Sequence, residues 1–299
     1  MPAEAPLDCL IVGGGAAGLV AAVYLARFRR RVLVVDAGRS RLGLIPRSRN
    51  VLGFPDGIPG EALLERLRAH AAAYRVPLAM GEVESLARDE AGVFTARAGS
   101  QQLRARHVIL ATGGRDVEPA LPGLADGLRT GHVRYCPVCD GFETQGRSVA
   151  VLGPGAHGLR ESCFVAGFGN RVTWLSLGSH QGLPPQDLGR LRALDVTLEG
   201  GEPARLACDP DRGVEAELAD GRVLRFDVLY PALGVHHASG LATALGAQAL
   251  EDGQLVVDAH LQTTVPGLYA AGDVADGLNQ INVAAGHAAI AATAVHNRL

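Results

Sequence analysis

Short apolar runs alternate with glycine-rich turns along the chain, and the first of these runs opens a regular unit. Residues 9–12 are apolar and lead into the glycine-rich segment 13–18. A stretch of small, mostly apolar residues continues to about position 28, and a second apolar run covers 32–35 and ends at Asp36. Apolar runs of this length bounded by glycine are typical of buried strands. The unit is therefore predicted to be a strand, a helix and a second strand.

The same layout returns further along the chain. Residues 149–152 lead into the glycine-rich segment 153–158, a helical stretch and the apolar run 172–175. Both turns carry the pattern G-x-G-x-x-G, and 23 positions separate its first glycine from the residue after the second strand, Asp36 in the first copy and Ser176 in the second. The chain is therefore predicted to be an α/β protein with two Rossmann-type, doubly wound nucleotide-binding domains.

Two later apolar runs predict further strands of the first domain. Residues 108–114 end in a tight glycine turn, and residues 268–273 end in an acid, Asp273. Ligands of open parallel sheets lie beyond the carboxyl ends of the strands, so Gly13, Thr112 and Asp273 are expected to converge.

The domain organisation follows from this placement. The first domain is predicted to be discontinuous, 1–114 with 236–299, and the second copy, 115–235, is inserted into it. Gly113-Gly114 and Gly234 mark the two crossings, where glycine allows the backbone to act as a hinge.

The two glycine-rich turns differ in what they predict about nucleotides. Such turns let the backbone approach a pyrophosphate, whose charge lies at the helix N-terminus. The first copy is predicted to bind a dinucleotide because Asp36 can accept hydrogen bonds from a ribose 2′-OH. For the second copy, nucleotide binding and a purely structural turn remain equally open, because Ser176 carries no charge.

Composition removes several classes of function. The chain has 47% apolar and 20% charged residues with a net charge of −3, which does not favour a nucleic-acid-binding protein. All 28 basic residues are arginine, so pyridoxal enzymes and P-loop NTPases, which need a lysine, are excluded. No secretory signal is visible, and the most apolar stretch, 10–26, is short and interrupted by glycine. We expect no membrane segment and a cytoplasmic, thiol-reducing location.

A C-x-x-C pair, Cys136 and Cys139, stands just before the first strand of the second copy. A zinc site would need a second pair of ligands, whereas Cys9, Cys163 and Cys208 are isolated. The pair is therefore predicted to be a redox dithiol, and no metal site is expected. Cys9 and Cys163 are predicted to be buried on a strand and a helix, and Cys208 to lie in a loop.

Together these motifs resemble the low-molecular-weight thioredoxin reductases, in the same order and over nearly the whole chain. They are, in chain order, GGGAAG at 13–18, NVLGFP at 50–55, ATG at 111–113, CPVCDG at 136–141, and AGDV at 271–274 followed by Asn279-Gln280. The resemblance implies an FAD domain, an inserted nucleotide-type domain that bears the redox disulfide, and a homodimer. It also implies a thioredoxin-like protein, or a small disulfide or dithiol, as the partner.

The resemblance carries residue roles with it. Cys139 is expected to face the flavin, Cys136 to attack the partner's disulfide, and Asp140 to handle protons, although Asp140 is also a common turn residue before a glycine. The expected FAD contacts are Gly13, Gly15, Ala16, Ala17, Gly18, Asp36, Asn50, Val83, Ala111, Thr112, Gly113, Gly272, Asp273, Gln280 and Ile281. Among these, Asp273 is expected at the ribityl chain, and Asn50 and Gln280 at the isoalloxazine. Asn282 is predicted to cap a helix over 283–297 whose positive end faces the flavin.

The chain departs from the family pattern where NADPH should bind. The family's G-G-G-D-S-A fingerprint is replaced by GPGAHG at 153–158, and its His-Arg-Arg cluster by SLGSHQG at 176–182. Arginine contacts supply much of the affinity for a 2′-phosphate, so NADPH is expected to bind poorly. Ser176 does not supply the acid that would hold NADH. The family's flavin loop has become RSRLGLIPR at 39–47, which is either ordinary loop divergence or altered access to the flavin.

Several functions remain open at this point. The first is an FAD-dependent thiol–disulfide oxidoreductase that passes electrons between flavin, the Cys136–Cys139 pair and a partner, with a donor other than NADPH. The second is an NADPH-dependent thioredoxin reductase with a divergent binding loop. The others are a dithiol oxidase that passes electrons to oxygen and a non-catalytic flavin redox sensor. The intact CPVCDG motif argues against a sensor, which needs no acid at that spacing.

Overall fold

The computed structural model describes residues 5–299 and divides the chain into two compact units. The first comprises Met1–Arg115 with His236–Leu299, and the second comprises Asp116–Val235. Both are α/β, and each is built on a parallel sheet with the strand order of a Rossmann fold, so the predicted fold class is confirmed.

The strands are, in chain order, β1 (Leu7–Val12), β2 (Val32–Asp36), β3 (Leu78–Met80), β4 (Ser85–Arg88), β5 (Phe94–Ala98), β6 (Gln101–Leu110), β7 (Gly114–Asp116), β8 (Ser148–Leu152), β9 (Arg171–Leu175), β10 (Thr197–Glu199), β11 (Pro203–Asp209), β12 (Gly213–Leu218), β13 (Val223–Phe226), β14 (Val228–Pro231), β15 (Val235–His237) and β16 (Leu268–Ala270). The α-helices are α1 (Ala16–Arg27), α2 (Gly60–Ala73), α3 (Leu124–Thr130), α4 (Pro137–Asp140), α5 (Gly155–Ala166), α6 (Pro185–Ala193), α7 (Gly240–Thr243) and α8 (Ile281–His296). Two 3₁₀ helices cover Arg41–Leu44 and Gly141–Thr144.

The first unit contains a seven-stranded sheet whose parallel part runs in the order β3-β2-β1-β6-β16. The long strand β6 pairs with β16 through its second half and with antiparallel β5 through its first half. The centre of β1 is fully buried because α1 and α8 pack together on one face of the sheet. The carboxyl ends of β1, β2, β6 and β16 therefore meet at one edge.

The second unit repeats this plan with four parallel strands in the order β10-β9-β8-β14. A separate antiparallel sheet, β11-β12-β13, packs with it around a second core. Trp174 on β9 is fully buried, and its indole N–H donates to the Gly153 carbonyl at 2.7 Å, which ties the second strand to the glycine-rich turn.

The chain crosses between the two units twice. The connecting strands β7 and β15 pair with each other. Gly113 has a φ of 67° and Gly234 a φ of 95°, a region that glycine enters more readily than other residues. The backbone conformation thus favours glycine at both crossings.

Candidate cofactor and dithiol sites

The glycines of the first G-x-G-x-x-G turn pack the turn against the sheet. A Cβ on Gly13 would lie 2.2 Å from the Ala111 carbonyl oxygen, and a Cβ on Gly18 would lie 1.9 Å from the Gly13 carbonyl oxygen. Both distances are far inside van der Waals contact. These two glycines are therefore required by packing, whether or not a ligand binds.

Gly15 has a different role, because neither its backbone nor its packing demands glycine. Its φ is −83°, an ordinary value, and a Cβ there would meet the Ser40 side chain alone, at 3.1 Å from Oγ. It is the N-cap residue of α1 and has no side chain that could cap the helix, and the first turn holds no acid. The start of α1 thus presents the positive end of its dipole and the N–H groups of its first turn, which fits the pyrophosphate of a dinucleotide.

Asp36 ends β2 next to this turn and is 3% exposed. The Gly38 N–H donates to its Oδ1 at 3.0 Å, and Arg68 reaches its Oδ2 at 3.3 Å. A Cβ on Gly14 would lie 2.4 Å from the carboxyl carbon, so the carboxylate rests directly on the turn. This placement fits an acceptor for the adenosine ribose hydroxyls of FAD.

An arginine of the divergent loop reaches the acid that follows β16. Arg41 Nη1 lies 3.0 Å from Asp273 Oδ2, and both side chains are mostly buried. The neighbouring Ser40 side chain lies close to Gly15, so this loop borders the start of α1. The sequence singled out the loop, but this pairing over 232 positions had no sequence signal.

The residues expected at the isoalloxazine form one hydrogen-bonded group. Asn50 Nδ2 donates to Gln280 Oε1 at 2.9 Å, and Asn282 Nδ2 donates to the Asn50 carbonyl oxygen at 2.8 Å. The prediction that Asn282 caps the last helix is wrong, because α8 begins at Ile281 and its N-cap is Gln280. Asn282 lies inside the first turn, and its amide joins α8 to the loop that carries Asn50.

The remaining expected FAD contacts also lie in the first unit. Val83 follows β3 and Ala111 follows β6, and both are buried. Thr112 Oγ1 donates to the Ala238 carbonyl oxygen at 2.7 Å. Gly272 has a φ of 78°, and a Cβ there would lie 3.0 Å from that of Ala17. The structure thus gathers these residues at the carboxyl edge of the sheet.

The C-x-x-C pair forms a disulfide in the second unit, with Cys136 and Cys139 Cα atoms 5.3 Å apart. Cys136 is the N-cap of α4, and the Cys139 N–H donates to the Cys136 carbonyl oxygen at 2.9 Å. A Cβ on Gly141 would lie 2.7 Å from the Phe168 ring, which explains the glycine of the motif.

The other cysteines are not part of this site. Cys9 and Cys163 are buried on β1 and α5 as predicted, and burial raises the pKa of both thiols. The loop assignment of Cys208 is wrong, because it lies on β11. Its sulfur packs near Gly127 of α3, which places it on the packed side of that sheet.

Asp140 ends α4, directly after Cys139, and two side chains hold its carboxyl group. The Tyr230 hydroxyl donates to Oδ1 at 2.6 Å, and Arg134 Nη1 lies 3.4 Å from Oδ2. Burial raises the pKa of Asp140, while the Tyr230 hydrogen bond and the Arg134 charge act in the opposite direction. Neither partner was anticipated from the sequence.

The second G-x-G-x-x-G turn is closed by the chain itself. Gly153 and Gly158 are required by packing, since Cβ atoms there would lie 2.1 Å and 2.3 Å from backbone oxygens. The Gly155 N–H, the first of α5, donates to Ser179 Oγ at 2.7 Å. Ser179 Oγ in turn donates to the Ser176 carbonyl oxygen at 2.6 Å.

Ser176, the residue after the second strand of this unit, is also engaged within the chain. Ser176 is fully buried, and its Oγ lies 2.7 Å from His180 Nδ1 and 3.1 Å from the Glu199 carbonyl oxygen. Arg222 reaches Glu199, but its guanidinium is bound to the Glu199 and Asp220 carboxylates at 2.6 Å and 2.7 Å.

Residues 5–299 bring no group of three or more histidine, cysteine or acidic side chains into metal-binding proximity. Within this range, each helix is too short or too polar to cross a membrane.

A helix start that fits a dinucleotide in one unit and a C-x-x-C disulfide in the other define the class: the chain is a flavin-dependent disulfide oxidoreductase. Residues 7–288 match the pyridine nucleotide-disulphide oxidoreductase family, and the chain belongs to that family.

Curated and solved relatives agree with this placement and confirm the resemblance to thioredoxin reductases. Thioredoxin reductase from Treponema pallidum (strain Nichols) is 31% identical over 306 residues, which cover 97% of this chain and 96% of that protein. The crystal structure of HlmI is 31% identical with a TM-score of 0.90, covering 100% of this chain and 94% of that one. Thioredoxin reductase from Streptococcus pyogenes MGAS5005 is 25% identical with a TM-score of 0.90, covering 99% and 98%.

Proposed function

We propose that this enzyme is an FAD-dependent thiol–disulfide oxidoreductase whose Cys136–Cys139 pair exchanges electrons with a thioredoxin-like protein or a small disulfide, and that NADPH is a poor electron donor for it. The claim that NADPH is a poor donor rests on the hydrogen bond that the Gly155 N–H donates to Ser179 Oγ. That bond uses a helix-start donor that a bound pyrophosphate would need.

The FAD domain is assigned to 1–114 with 236–299, and the NAD(P)-binding-like domain that carries the C-x-x-C motif to 115–235. The open start of α1 at Gly15 would receive the pyrophosphate, Asp36 the adenosine ribose and Asp273 the ribityl chain. Arg41, which pairs with Asp273, brings a guanidinium to the same edge, where it would be shared between that carboxylate and a bound phosphate. Bound FAD would supply the two-electron couple that oxidises or reduces the dithiol.

The dithiol transfers electrons to the partner in two balanced displacements. The Cys136 thiolate attacks a partner disulfide, so that a mixed disulfide forms and one partner thiolate leaves. The Cys139 thiolate then attacks Cys136 Sγ, which re-forms the Cys136–Cys139 disulfide and releases the second partner thiolate. Two electrons pass to the partner, and the same steps in reverse would oxidise a partner dithiol.

The surface beside the dithiol favours a protein partner. Val138, between the two cysteines, is 46% exposed, and Phe142, three residues after Cys139, is 74% exposed. Exposed large apolar side chains beside a reactive group are typical of protein docking sites. The thioredoxin reductases among the relatives are consistent with a thioredoxin-like partner. A homodimer is proposed from the same resemblance, to be tested by light scattering of the holoenzyme.

The second turn offers little to a phosphate. Pro154 has no N–H, the Gly155 N–H is already bonded, and Arg222 is held by two carboxylates. Charge-assisted contacts to a phosphate contribute about 1.5–3 kcal/mol each, so the loss of two or three weakens NADPH by orders of magnitude. Binding is then expected at about millimolar Kd, roughly 4 kcal/mol.

Anaerobic mixing of the oxidised holoenzyme with NADPH, NADH or dithionite, followed by flavin absorbance, tests the donor. Dithionite should bleach the flavin, whereas bleaching by NADPH should be slow and should not saturate below millimolar concentration. Bleaching within milliseconds by micromolar NADPH would establish the ordinary NADPH-dependent reductase instead. Oxygen uptake with a small dithiol, measured separately in air-equilibrated buffer, distinguishes the oxidase.

The exchanging thiol is tested separately with thioredoxin as the probe. Cys136→Ser should abolish reduction of thioredoxin by the dithionite-reduced enzyme, while Cys208→Ser, the matched control at a half-buried thiol, should leave it unchanged. Exchange that survives in Cys136→Ser would contradict the assigned role.

A further inference from the structure

We propose that Tyr230 and Arg134 are positioning residues for Asp140, which fix its carboxyl group and set the pH range in which the dithiol exchanges protons. The proposal rests on the proton-handling role given to Asp140 under the proposed function. It adds two residues to that site, one of which lies 90 positions away in sequence.

The fold fixes Tyr230 rigidly beside Asp140. Tyr230 is on β14, which is buried along its whole length, and its side chain is fully buried. The hydroxyl donates to Asp140 Oδ1 at 2.6 Å, a short bond of the kind made to a charged acceptor. Because β14 is buried, pairs with β8 on one side and is bridged to Val133 on the other, it cannot shift easily, and this bond gives the carboxyl group one fixed orientation.

Arg134 is held next to Tyr230 by backbone pairing. Val133 bridges to Leu229, and the Arg134 N–H donates to the Leu229 carbonyl oxygen at 3.0 Å, so this segment runs along β14. The guanidinium Nε donates to the Gly131 carbonyl oxygen at 2.7 Å, and Nη1 lies 3.4 Å from Asp140 Oδ2. Each carboxylate oxygen therefore has one donor, strong at Oδ1 and weak at Oδ2.

This asymmetry assigns different roles to the two oxygens. An oxygen that accepts a hydrogen bond from a buried tyrosine is disfavoured as the protonation site, so the proton is taken up at Oδ2, where Arg134 can withdraw. When the Cys136 thiol is activated, its proton passes to Oδ2 and leaves a thiolate and a carboxylic acid. When an exchanged thiolate leaves, the same proton returns to sulfur, which balances the step.

The groups around Asp140 shift the pKa of its carboxyl group in opposite directions. Burial favours the protonated carboxyl group and so raises its pKa, and Glu143 of the following 3₁₀ helix acts in the same direction. The Tyr230 hydroxyl and the Arg134 guanidinium favour the carboxylate and lower the pKa. Among the described residues, α5 also packs against α4 but adds no charged group to this set. Without the Tyr230 hydroxyl, one of the groups that lower the pKa of Asp140 is lost while burial still raises it. Asp140 should therefore take up a proton at higher pH.

The test measures exchange of the pre-reduced holoenzyme with 5,5′-dithiobis(2-nitrobenzoate) from pH 4.5 to 9. The exchange rate should fall at low pH, where Asp140 becomes protonated, and this fall is the acid limb of the pH–rate profile. In Tyr230→Phe the acid limb should move up by one to two pH units, because a hydrogen bond to a charged group is lost. The rate should fall about 10- to 100-fold below the limb and converge with wild type above it. Tyr135→Phe is the matched control, since the Tyr135 hydroxyl is buried without a hydrogen-bond partner in the described chain.

The outcomes separate this proposal from the one it rests on. An unmoved limb in Tyr230→Phe, or a rate loss equal at every pH, would overturn the positioning role. Asp140→Asn should abolish the limb, and a limb that persists there would overturn the role of Asp140 itself. Arg134→Gln should move the limb in the same direction by a smaller amount, and Arg134→Lys should restore it. This pair keeps the proposal testable if Tyr230→Phe does not fold.

Discussion

Glu161 of α5 should make the second unit less stable as pH rises, and Glu161→Gln should remove that dependence. The side chain is 14% exposed, and its Oε1 has no hydrogen-bond partner among residues 5–299. Burial, with a smaller effect from Asp116, raises the pKa of Glu161 to about 8. His157 Nε2 lies 3.7 Å from the Glu161 carboxyl group, and burial lowers the pKa of this histidine. Near neutral pH both groups are therefore uncharged, and the contact is not an ion pair.

The sign follows from proton counting. Between pH 4.5, the ordinary pKa of glutamate, and about 8 the folded protein holds a proton on Glu161 that the unfolded chain has released. The associated stability is complete below the lower value and is lost as pH rises through the upper one. At about 1.4 kcal/mol per unit, the loss is about 3 kcal/mol at pH 7 and about 5 kcal/mol in full.

Urea unfolding at pH 5, 7 and 8.5, followed by tryptophan fluorescence, measures this effect. Trp174 is the single tryptophan of the chain and is fully buried in the same unit, so it reports the unfolding of that unit. The free-energy difference between Glu161→Gln and wild type should grow by about 3–5 kcal/mol over this range. Glu202→Gln, at an exposed position, should show no such trend. Parallel pH profiles for Glu161→Gln and wild type would refute the reasoning.

Three further predictions concern the nucleotide turns. Gly15→Val should fill the open start of α1 and lower the FAD-to-protein ratio on purification to below half of that in Gly189→Ala, an open helix position; full occupancy would contradict the assignment. Ser179→Ala should free the Gly155 N–H and lower the NADPH concentration needed for flavin reduction about 2- to 10-fold, and an unchanged dependence would show that the bond does not limit binding. Arg41→Met should weaken FAD retention about 10-fold in dialysis, because a cation is removed from the phosphate edge; undiminished retention would exclude that contact.

The parts of the fold that were predictable from the sequence rest on local packing. Gly13 and Gly18 must lack side chains because the turn and α1 approach the sheet too closely, and Gly153 and Gly158 obey the same constraint. This requirement is imposed within a few residues, so it leaves a short pattern that can be recognised without any knowledge of tertiary structure. The same holds for the C-x-x-C pair, whose cysteines are adjacent on one helical turn.

Contacts between distant residues left no such pattern. Tyr230 and Asp140 meet because β14 and the segment before α4 run side by side, and a tyrosine in an apolar strand is indistinguishable from an ordinary core residue. Asn282 was misplaced for a related reason. Asparagine is a frequent N-cap, but here its amide bonds to the Asn50 backbone, 232 positions away.

The two copies of the turn share their packing constraints and differ in the residues around the helix start. Both have glycines at the close approaches, and both begin a helix with no side-chain cap at the N-cap residue. In the first, Asp36 places a carboxylate beside the turn, and the Ser40 side chain lies near Gly15. In the second, the loop after β9 turns back so that Ser179 bonds to the helix start, and Ser176 carries no charge. The glycines preserve the fold in both copies, so we expect the residues that follow the second strand to decide whether each turn binds a ligand.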